Sequence, residues 1–240
     1  VPAQHARNDA DSKSLEADKR GWFHDKNEQK ETEPERFDIN RLRELAKDPK
    51  VAAIGECGLD YYRLGSRTDA DDMRTNAEKI KEIQKEVFLQ QAELAKELSK
   101  PLMIHCRPSK GTDDAYKDML NLCQMSLAGQ AKVKGQVLVV HFYVGSLEMT
   151  KKLVEAGFYF TFGGVVTFAR DYDEAIKYIP LERILLETDC PYVAPKSQRG
   201  KKNEPVFILE TAESLADIKN IGLDPLIKQI YKNSKGVFNI

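Results

Sequence analysis

The stretch Val137-Leu138-Val139-Val140-His141 consists of four apolar residues followed by a histidine. A short, unbroken apolar run of this kind is typical of a strand buried in a parallel sheet. Three further runs end on, or just before, an ionisable residue: Ile54-Gly55-Glu56, Leu102-Met103-Ile104-His105 and Ile184-Leu185-Leu186-Glu187-Thr188-Asp189. The carboxyl ends of parallel strands form the functional edge of a sheet, so we expect the four terminal residues to meet there.

Amphipathic helices separate these runs. The clearest is predicted over about 76–99, where Ile80, Ile83, Val87 and Leu94 recur on one helical face. Asp38 and Ser146 are predicted to cap two other helices. The remaining predicted elements are a fifth strand over 159–163 and helices near 113–123, 172–178, 205–219 and 225–238.

Strand and helix therefore alternate five times, which predicts parallel strands with right-handed crossovers. His105 follows Glu56 by 49 residues, His141 follows His105 by 36, and Asp189 follows His141 by 48. One βα unit needs about 30 residues or more. The spacing is thus that of a TIM-type (β/α) barrel, an α/β fold.

Composition limits the class of protein. The chain has 240 residues, 41% of them hydrophobic and 31% charged, with a formal net charge of −1. These values predict one large globular domain over 39–240, preceded by a polar loop or extension over 1–38. The net charge does not indicate a nucleic-acid partner, so any basic surface that binds one must be local.

The four cysteines have no CxxC spacing. We therefore expect a reduced, cytoplasmic protein whose thiols mostly pack as small apolar groups. No run is long enough for a membrane span and no signal peptide is visible, so no membrane association is expected.

The four residues at the strand ends suit a divalent metal. Carboxylates and imidazoles together accommodate Mg, Mn or Zn. Taken singly, each has an ordinary alternative: a histidine that ends a buried strand is often structural, and a carboxylate there is often a helix cap or an ion-pair partner. Together they favour a metal site, because several buried ionisable groups at one edge are costly unless paired or metal-bound.

Other side chains near these positions could contact a substrate. Arg107 could bind a phosphate, or form an ion pair with Asp60 or Glu56. Tyr61 and Tyr62 could stack on bases or pack in their loop. The pair Gly163-Gly164 permits a close backbone approach. Arg63 is another candidate. The basic cluster of Arg199, Lys201 and Lys202 after the last strand could bind a nucleic-acid backbone or be a solvated loop.

Six segments, taken together and in order, resemble the TatD family of metal-dependent deoxyribonucleases. They are Gly55-Glu56-Cys57-Gly58-Leu59-Asp60-Tyr61-Tyr62-Arg63, Ile104-His105-Cys106-Arg107, Val140-His141-Phe142-Tyr143-Val144-Gly145-Ser146, Tyr159-Phe160-Thr161-Phe162-Gly163-Gly164, Leu186-Glu187-Thr188-Asp189-Cys190-Pro191-Tyr192 and Arg199-Gly200-Lys201-Lys202-Asn203-Glu204-Pro205. The resemblance covers about residues 39–240. It implies a TIM barrel of the amidohydrolase type that cleaves DNA with divalent metals.

The resemblance also implies roles for individual residues. Glu56, His105, His141 and Asp189 are then metal ligands, and Asp189 also lies near the attacking water. With Glu56 as a ligand or bridge, Glu56 and Asp189 are the catalytic pair.

The amino-terminal part departs from the family pattern. Members usually open with strands that carry a His-x-His pair and a later Gly-x-His-Pro segment, and no such strands are recognisable before Glu56. The resemblance therefore implies an incomplete barrel of about five strands, with the first strands missing and a fragment of a longer product as the preferred explanation. His5 and His24 are weak candidates for the missing ligands. Open sheet edges of this kind favour self-association.

Three functions remain open at this point. The first is a metal-dependent hydrolase that cleaves DNA phosphodiester bonds through a metal-activated water. The second is a related metallohydrolase that acts on a small ester, amide or lactone, since one barrel hosts many chemistries. The third is an inactive, N-terminally truncated binding protein.

Overall fold

The protein is described from a computed structural model that covers residues 37–62, 64, 70–126 and 136–240, with the backbone alone for 70–75. The helices and strands are α1 Ile39–Ala46, β1 Ile54–Asp60, α2 Ala70–Glu97, β2 Leu102–Arg107, α3 Asp114–Ser126, β3 Leu138–His141, α4 Leu147–Glu155, β4 Tyr159–Phe162, α5 Asp173–Tyr178, β5 Ile184–Leu186, α6 Ile208–Lys219 and α7 Leu223–Phe238. Of the predicted extension over 1–38, residues 1–36, with His5 and His24, lie outside the described residues. The domain boundary at residue 38 stays a prediction.

The five strands form one parallel sheet in the order β1-β2-β3-β4-β5. This agrees with the predicted alternation, because each connection between neighbouring strands carries a helix or helices. Among the described residues, β1 and β5 each pair on one side only, so the sheet is open. Self-association at these two edges stays a prediction.

Alternation along each strand divides the sheet into two faces. The outer face carries Leu102, Ile104, Val140 and Phe160, which belong to the main buried core with the helices. The inner face carries the intervening residues, and Met103, Val139, Tyr159 and Leu185 pack there against the end of α7 in a second, smaller cluster. Period-two alternation therefore puts His105 and His141 on the inner face, beyond these apolar residues.

Several boundaries differ from the sequence prediction. The helix α2 begins at Ala70, about six residues before the predicted start, and α7 begins at Leu223 because Pro225 fits within its first turn. The predicted caps are confirmed: Asp38 accepts hydrogen bonds from the backbone of Asn40 and Arg41, and Ser146 accepts one from Met149.

The first strand does not end on Glu56, as the apolar run suggested. It continues to Asp60, because its pairing with β2 extends from Ile54 as far as the pair Asp60 and Arg107. Gly58 permits this close pairing beside the site: a Cβ atom there would lie 1.8 Å from the carbonyl oxygen of His105.

The last strand is also shorter than predicted. It ends at Leu186, and Asp189 lies three residues further on with a φ of 55°. The backbone N–H of Glu187 still donates to Phe162, at 3.1 Å, and the chain then turns away from the sheet. The carboxylate that directly follows β5 is therefore that of Glu187. No helix among the described residues has the length and apolar character that a membrane span needs.

Candidate metal centre

Glu56 reaches the inner face through an irregularity in β1. Three steps along β1, from Ile54 to Cys57, match only two along β2, from Leu102 to Ile104. The extra residue falls at Gly55-Glu56, and a bulge of this kind re-aims a side chain within a strand.

The two histidines come from neighbouring strands in direct register. His105 on β2 is the pairing partner of His141 on β3, and their ring centroids lie 6.2 Å apart. Glu56 Oε1 lies 2.7 Å from His105 Nδ1 and 3.5 Å from His141 Nε2. One ligand atom from each of the three residues lies within 4.8 Å of the other two. Three of the four predicted ligands therefore form one compact group.

Asp189 lies at the border of this group. Its Oδ1 atom is 3.9 Å from His141 Nε2, so the carboxylate is close to one ligand but outside the three-residue group. All four predicted positions thus converge on one edge of the sheet.

A second set of hydrogen bonds orients His141. Its Nδ1 atom lies 2.7 Å from Glu187 Oε2, which also accepts from Thr161 Oγ1 at 2.6 Å. The other Glu187 oxygen accepts from the backbone N–H of Phe142 at 2.8 Å. With Nδ1 held by Glu187, the Nε2 atom of His141 faces Glu56 and Asp189 and is free to bind an ion.

One buried nitrogen of His105 lacks a hydrogen bond. Its Nε2 atom makes none with the described residues. Asp60 Oδ2 lies 3.5 Å away, which is longer than a normal hydrogen bond. A buried polar atom without a partner is costly, and such atoms call for an explanation such as an ion.

The pKa values reflect how closely these charges are packed. The hydrogen bond to His105 lowers the pKa of Glu56, although burial opposes it. Burial disfavours the charged form of His141, but Glu187, Glu56 and Asp189 outweigh it and raise its pKa to about 9. For His105, burial is likewise outweighed by Asp60 and Glu56, and the pKa is raised.

Asp189 shifts in the direction that burial dictates. Burial is the main cause that raises its pKa to about 6; His141 opposes the rise, and the negative charges of Glu187 and Glu56 add to it. These pKa shifts apply to the protein without a cation. The positive charge of a bound ion would oppose the raised pKa values.

The loop that carries Asp189 depends on one buried amide. Asn203 Nδ2 donates to the carbonyl oxygens of Thr188 and Tyr192, both at 2.6 Å. Gly164 lets the loop approach closely, because a Cβ atom there would lie 2.4 Å from the carbonyl oxygen of Val193. Of the predicted glycine pair, it is Gly164 that makes the close approach, while Gly163 would accept a Cβ atom at ordinary distance.

The side chains present fit a divalent cation. Two imidazoles and a carboxylate supply nitrogen and oxygen ligands, with Asp189 and Asp60 beside them, and this donor set suits Zn or Mn and tolerates Mg. The buried Nε2 atom of His105, which makes no hydrogen bond with the described residues, is available to bind an ion. The group can therefore hold a metal ion.

Comparisons with known proteins support a metal cofactor, because the matching relatives are named metal-dependent hydrolases. The family model described as TatD related DNase matches residues 19–239. This chain belongs to the TatD related DNase family. An uncharacterized metal-dependent hydrolase, YabD of Bacillus subtilis, is 37% identical over 205 residues, which cover 85% of this chain and 71% of YabD.

Two Escherichia coli proteins are similar as well. The uncharacterized metal-dependent hydrolase YcfH of strain K12 is 34% identical, over 85% of this chain and 69% of YcfH. The crystal structure of the TatD homolog YJJV superposes with a TM-score of 0.65 at 25% identity, over 84% of this chain and 70% of that one. The five parallel strands are thus part of a TIM-type (β/α) barrel that the described strands leave open, as predicted.

The substrate-contact candidates of this TatD-family chain have different surroundings. Arg107 lies on the inner face and its guanidinium stacks on the Tyr62 ring, 4.1 Å from the centroid. Tyr61, by contrast, is fully buried and donates to Asp118 at 3.0 Å, so the prediction that it could stack on bases is wrong. Lys201 and Lys202 are exposed, and Arg63 lies outside the described residues. Their contact with a substrate stays a prediction.

Sequence reasoning missed the supporting residues. The sequence predicts a strand that contains Glu187 and ends on Asp189, and the position of Glu187 two residues before Asp189 is the signal that could identify it. Thr161 and Asn203 carried no signal beyond their motifs, because a neutral polar residue has no chemistry that points to a site. Asp60 was considered only as an ion-pair partner of Arg107.

Proposed function

We propose that the intact protein is a metal-dependent nuclease that cleaves DNA phosphodiester bonds with a water molecule as nucleophile. The observation that carries the proposal is the compact group of Glu56, His105 and His141, with Arg107 two residues beyond His105 on the same face. The family description, TatD related DNase, supports DNA as the substrate.

Each residue has a distinct task in the proposed reaction. Glu56, His105 and His141 would hold the divalent ion, and Glu187 keeps the Nε2 atom of His141 turned toward it. When bound, the ion supplies Lewis acidity and lowers the pKa of water. Asp189, 3.9 Å from His141 Nε2, is placed to accept the proton that water loses.

Arg107 would neutralise the phosphate that is attacked. Its stacking on Tyr62 holds the guanidinium at the same edge of the sheet as the metal group, and a guanidinium can donate two parallel hydrogen bonds to phosphate oxygens. A reducing, cytoplasmic location belongs to the same proposal and is supported by the four free cysteines, three of which are buried.

The test is a nuclease assay on single-stranded DNA with Mg, Mn and Zn in turn and EDTA as the blank. We expect cleavage that requires metal and that falls to background in His105→Ala and Asp189→Ala. Asp217→Ala, an exposed carboxylate on α6, is the matched control and should cleave like the wild type.

Other outcomes assign the protein differently. Hydrolysis of small esters, amides or lactones without DNA cleavage would favour the small-molecule metallohydrolase. Absence of metal binding at micromolar Mn or Zn would favour an inactive binding protein. DNA cleavage at the wild-type rate by His105→Ala would remove the metal centre from the mechanism.

A further inference from the structure

A buried glutamine on α2 contacts the end of β1 beside the metal centre. Gln84 is 7% exposed, and its side-chain amide forms two hydrogen bonds with the backbone of Asp60. The Oε1 atom accepts from the N–H of Asp60 at 2.9 Å, and the Nε2 atom donates to the carbonyl oxygen of Asp60 at 3.1 Å. A buried amide is costly unless it is hydrogen-bonded, and here both ends of the amide bind one residue.

The amide of Gln84 takes the place of a neighbouring strand at this point. The N–H of Tyr61 donates to the carbonyl oxygen of Arg107, next to β2, at 2.8 Å. Because the backbone groups of successive strand residues point to opposite edges, those of Asp60 point to the other edge of β1. Among the strands that the structure describes, none pairs with that edge. Gln84 therefore supplies the donor and the acceptor that a paired strand would supply.

The side chain of Asp60 faces the metal centre. Its Oδ2 atom lies 3.5 Å from Nε2 of His105, the nitrogen that makes no hydrogen bond with the described residues. Its Oδ1 atom accepts from the N–H of Tyr62 at 3.1 Å. Burial alone would raise the pKa of Asp60, but His105, Arg107 and the N–H of Tyr62 outweigh it and lower the pKa. A charged carboxylate therefore lies beside a nitrogen that can bind a cation.

Other contacts hold the same part of the chain without Gln84. Tyr61 is buried in the core, and its hydroxyl donates to Asp118 of α3 at 3.0 Å. The pairing of β1 with β2 extends as far as the pair Asp60 and Arg107. The end of β1 should therefore stay folded when the amide of Gln84 is removed, while the position of the Asp60 carboxylate becomes less well defined.

We infer that Gln84 is a positioning residue of the metal centre, which fixes the backbone of Asp60 and so keeps the Asp60 carboxylate beside Nε2 of His105. The negative charge of that carboxylate favours a cation at this nitrogen. The inference rests on the metal-dependent part of the proposed function and does not depend on the substrate. An apolar side chain of the same length would fill the same space but would leave the backbone of Asp60 unheld.

The test is a double-mutant cycle on metal affinity. Gln84→Met keeps the length of the side chain and removes both hydrogen bonds, while Asp60→Asn keeps the shape of the carboxylate and removes its charge. The two single variants and the double variant are titrated calorimetrically with Mn at neutral pH and without DNA. The matched control is Gln91→Met, because Gln91 is also a buried glutamine of α2 and its amide donates to Val87 in the same helix.

We expect Asp60→Asn to weaken Mn binding by about 10-fold and Gln84→Met by about 5-fold, at or below the lower end of the range typical of residues that support a metal ligand. In the Asp60→Asn background, Gln84→Met should cost less than about 2-fold, because the charge that Gln84 positions is already absent. Gln91→Met should bind Mn like the wild type. Equal losses from Gln84→Met in the two backgrounds, or equal losses in Gln84→Met and Gln91→Met, would overturn the inference.

Thermal melting of each variant accompanies the titrations. Asp60→Asn should melt close to the wild type, because it leaves the contact between Gln84 and the backbone intact. If Gln84→Met does not fold, Gln84→Glu replaces it in the cycle, since it keeps the acceptor for the N–H of Asp60 and loses only the donor. The same coupling to Asp60→Asn is then expected, and its absence would count against the inference.

The same preparations separate this inference from the proposed function. If the cycle shows the coupling but the wild type cleaves no DNA with any metal, the nuclease proposal fails and the role of Gln84 stands. If the wild type cleaves DNA while Gln84→Met and Gln91→Met bind Mn alike, the role of Gln84 is wrong and the nuclease proposal stands. A wild type that binds no metal would overturn both.

Discussion

The two sides of the metal centre are built in different ways. On one side, Glu56, His105 and His141 lie on three neighbouring strands, and His105 pairs directly with His141 in the sheet. On the other side, Asp189 lies three residues beyond β5 in a left-handed conformation, in a loop that one amide of Asn203 holds.

The two sides therefore differ in how well their geometry withstands substitution. A strand residue is positioned by a ladder of backbone hydrogen bonds that no single side chain controls. A loop residue depends on a few side-chain hydrogen bonds, so a single remote substitution can displace it. We call the two parts the strand side and the loop side, and the following predictions test whether they can be separated.

The largest effect is expected from a direct comparison of His141→Ala with Asp189→Ala. Because the strand side holds the three-residue ligand group, His141→Ala should weaken metal binding by more than about 100-fold, a larger loss than the 10–100-fold typical of supporting residues. Asp189→Ala should weaken it by about 10-fold or less while removing turnover. Calorimetric titration with Mn and Zn measures the first quantity, and equal losses in the two variants would contradict the division.

The next effect concerns Glu187, which joins the two sides. It directly follows β5, yet its carboxylate accepts from His141, Thr161 and the backbone of Phe142. Glu187→Gln keeps the shape but weakens the acceptor, and it should cost about 10–100-fold in metal affinity. Nitrogen NMR of His141 should then show a loss of the single ring tautomer that Glu187 selects.

Thr161→Val provides a graded comparison at the same place. It removes one of the three hydrogen bonds to Glu187 and should cost only several-fold in metal affinity. Unchanged affinity in Glu187→Gln would mean that the strands alone orient His141, and the strand side would then be more independent than we propose.

The strand side was the part that sequence could predict. Unbroken apolar runs that end on His105 and His141 predicted neighbouring strands with both histidines at the carboxyl edge, and parallel pairing brings His105 beside His141. The bulge that turns Glu56 inward was not predictable, because it depends on how β1 registers with β2. The end of β1 was missed for the same reason.

The loop side was predicted from its residue types but not from its geometry. The apolar run ending at Leu186 gave the strand, while the turn that follows it depends on contacts with residues far along the chain, such as Asn203 and Gly164. Periodicity contains no information on such contacts. Tyr61 is the opposite case. Its motif suggested contact with bases, but the side chain is buried in the core and donates a hydrogen bond to Asp118.

A smaller effect is expected from Asn203→Ala, which removes two hydrogen bonds that hold the loop carrying Asp189. Two partly buried carbonyl oxygens, of Thr188 and Tyr192, would lose their donor, at a cost of about 1 kcal/mol in the free energy of unfolding. Turnover should fall about 10-fold because Asp189 is less well held. Metal affinity should change by less than about 3-fold, since the strand side is untouched.

Asn121→Ala, on the exposed surface of α3, is the matched control for this change. Urea unfolding, turnover and metal titration are compared in both variants. A large loss of metal affinity in Asn203→Ala would show that the loop side contributes ligands as strongly as the strands do, and the division would fail.

The smallest effect is expected at Asp114, which organises the loop after β2 as Asn203 organises the loop after β5. Partial burial alone would raise the pKa of Asp114, but hydrogen bonds from Ser109, Thr112 and Ala115 outweigh it and lower the pKa to about 2. An unfolded aspartate has a pKa of about 3.9. The ionised carboxylate therefore stabilises the fold above pH about 4, and this contribution is lost as the pH falls toward 2.

Asp114→Asn should thus lower the free energy of unfolding by about 1 kcal/mol at neutral pH, a value reduced for the one-third exposure of the side chain. The difference from the wild type should shrink as the pH falls from about 4 toward 2, because the wild-type carboxylate then becomes neutral too. Urea unfolding at several pH values measures it, with Asp217→Asn as the exposed control. A difference that stays constant with pH would assign the effect of Asp114 to packing and not to charge. The loop after β2 would then resemble the strand side, in which no single polar group decides the geometry.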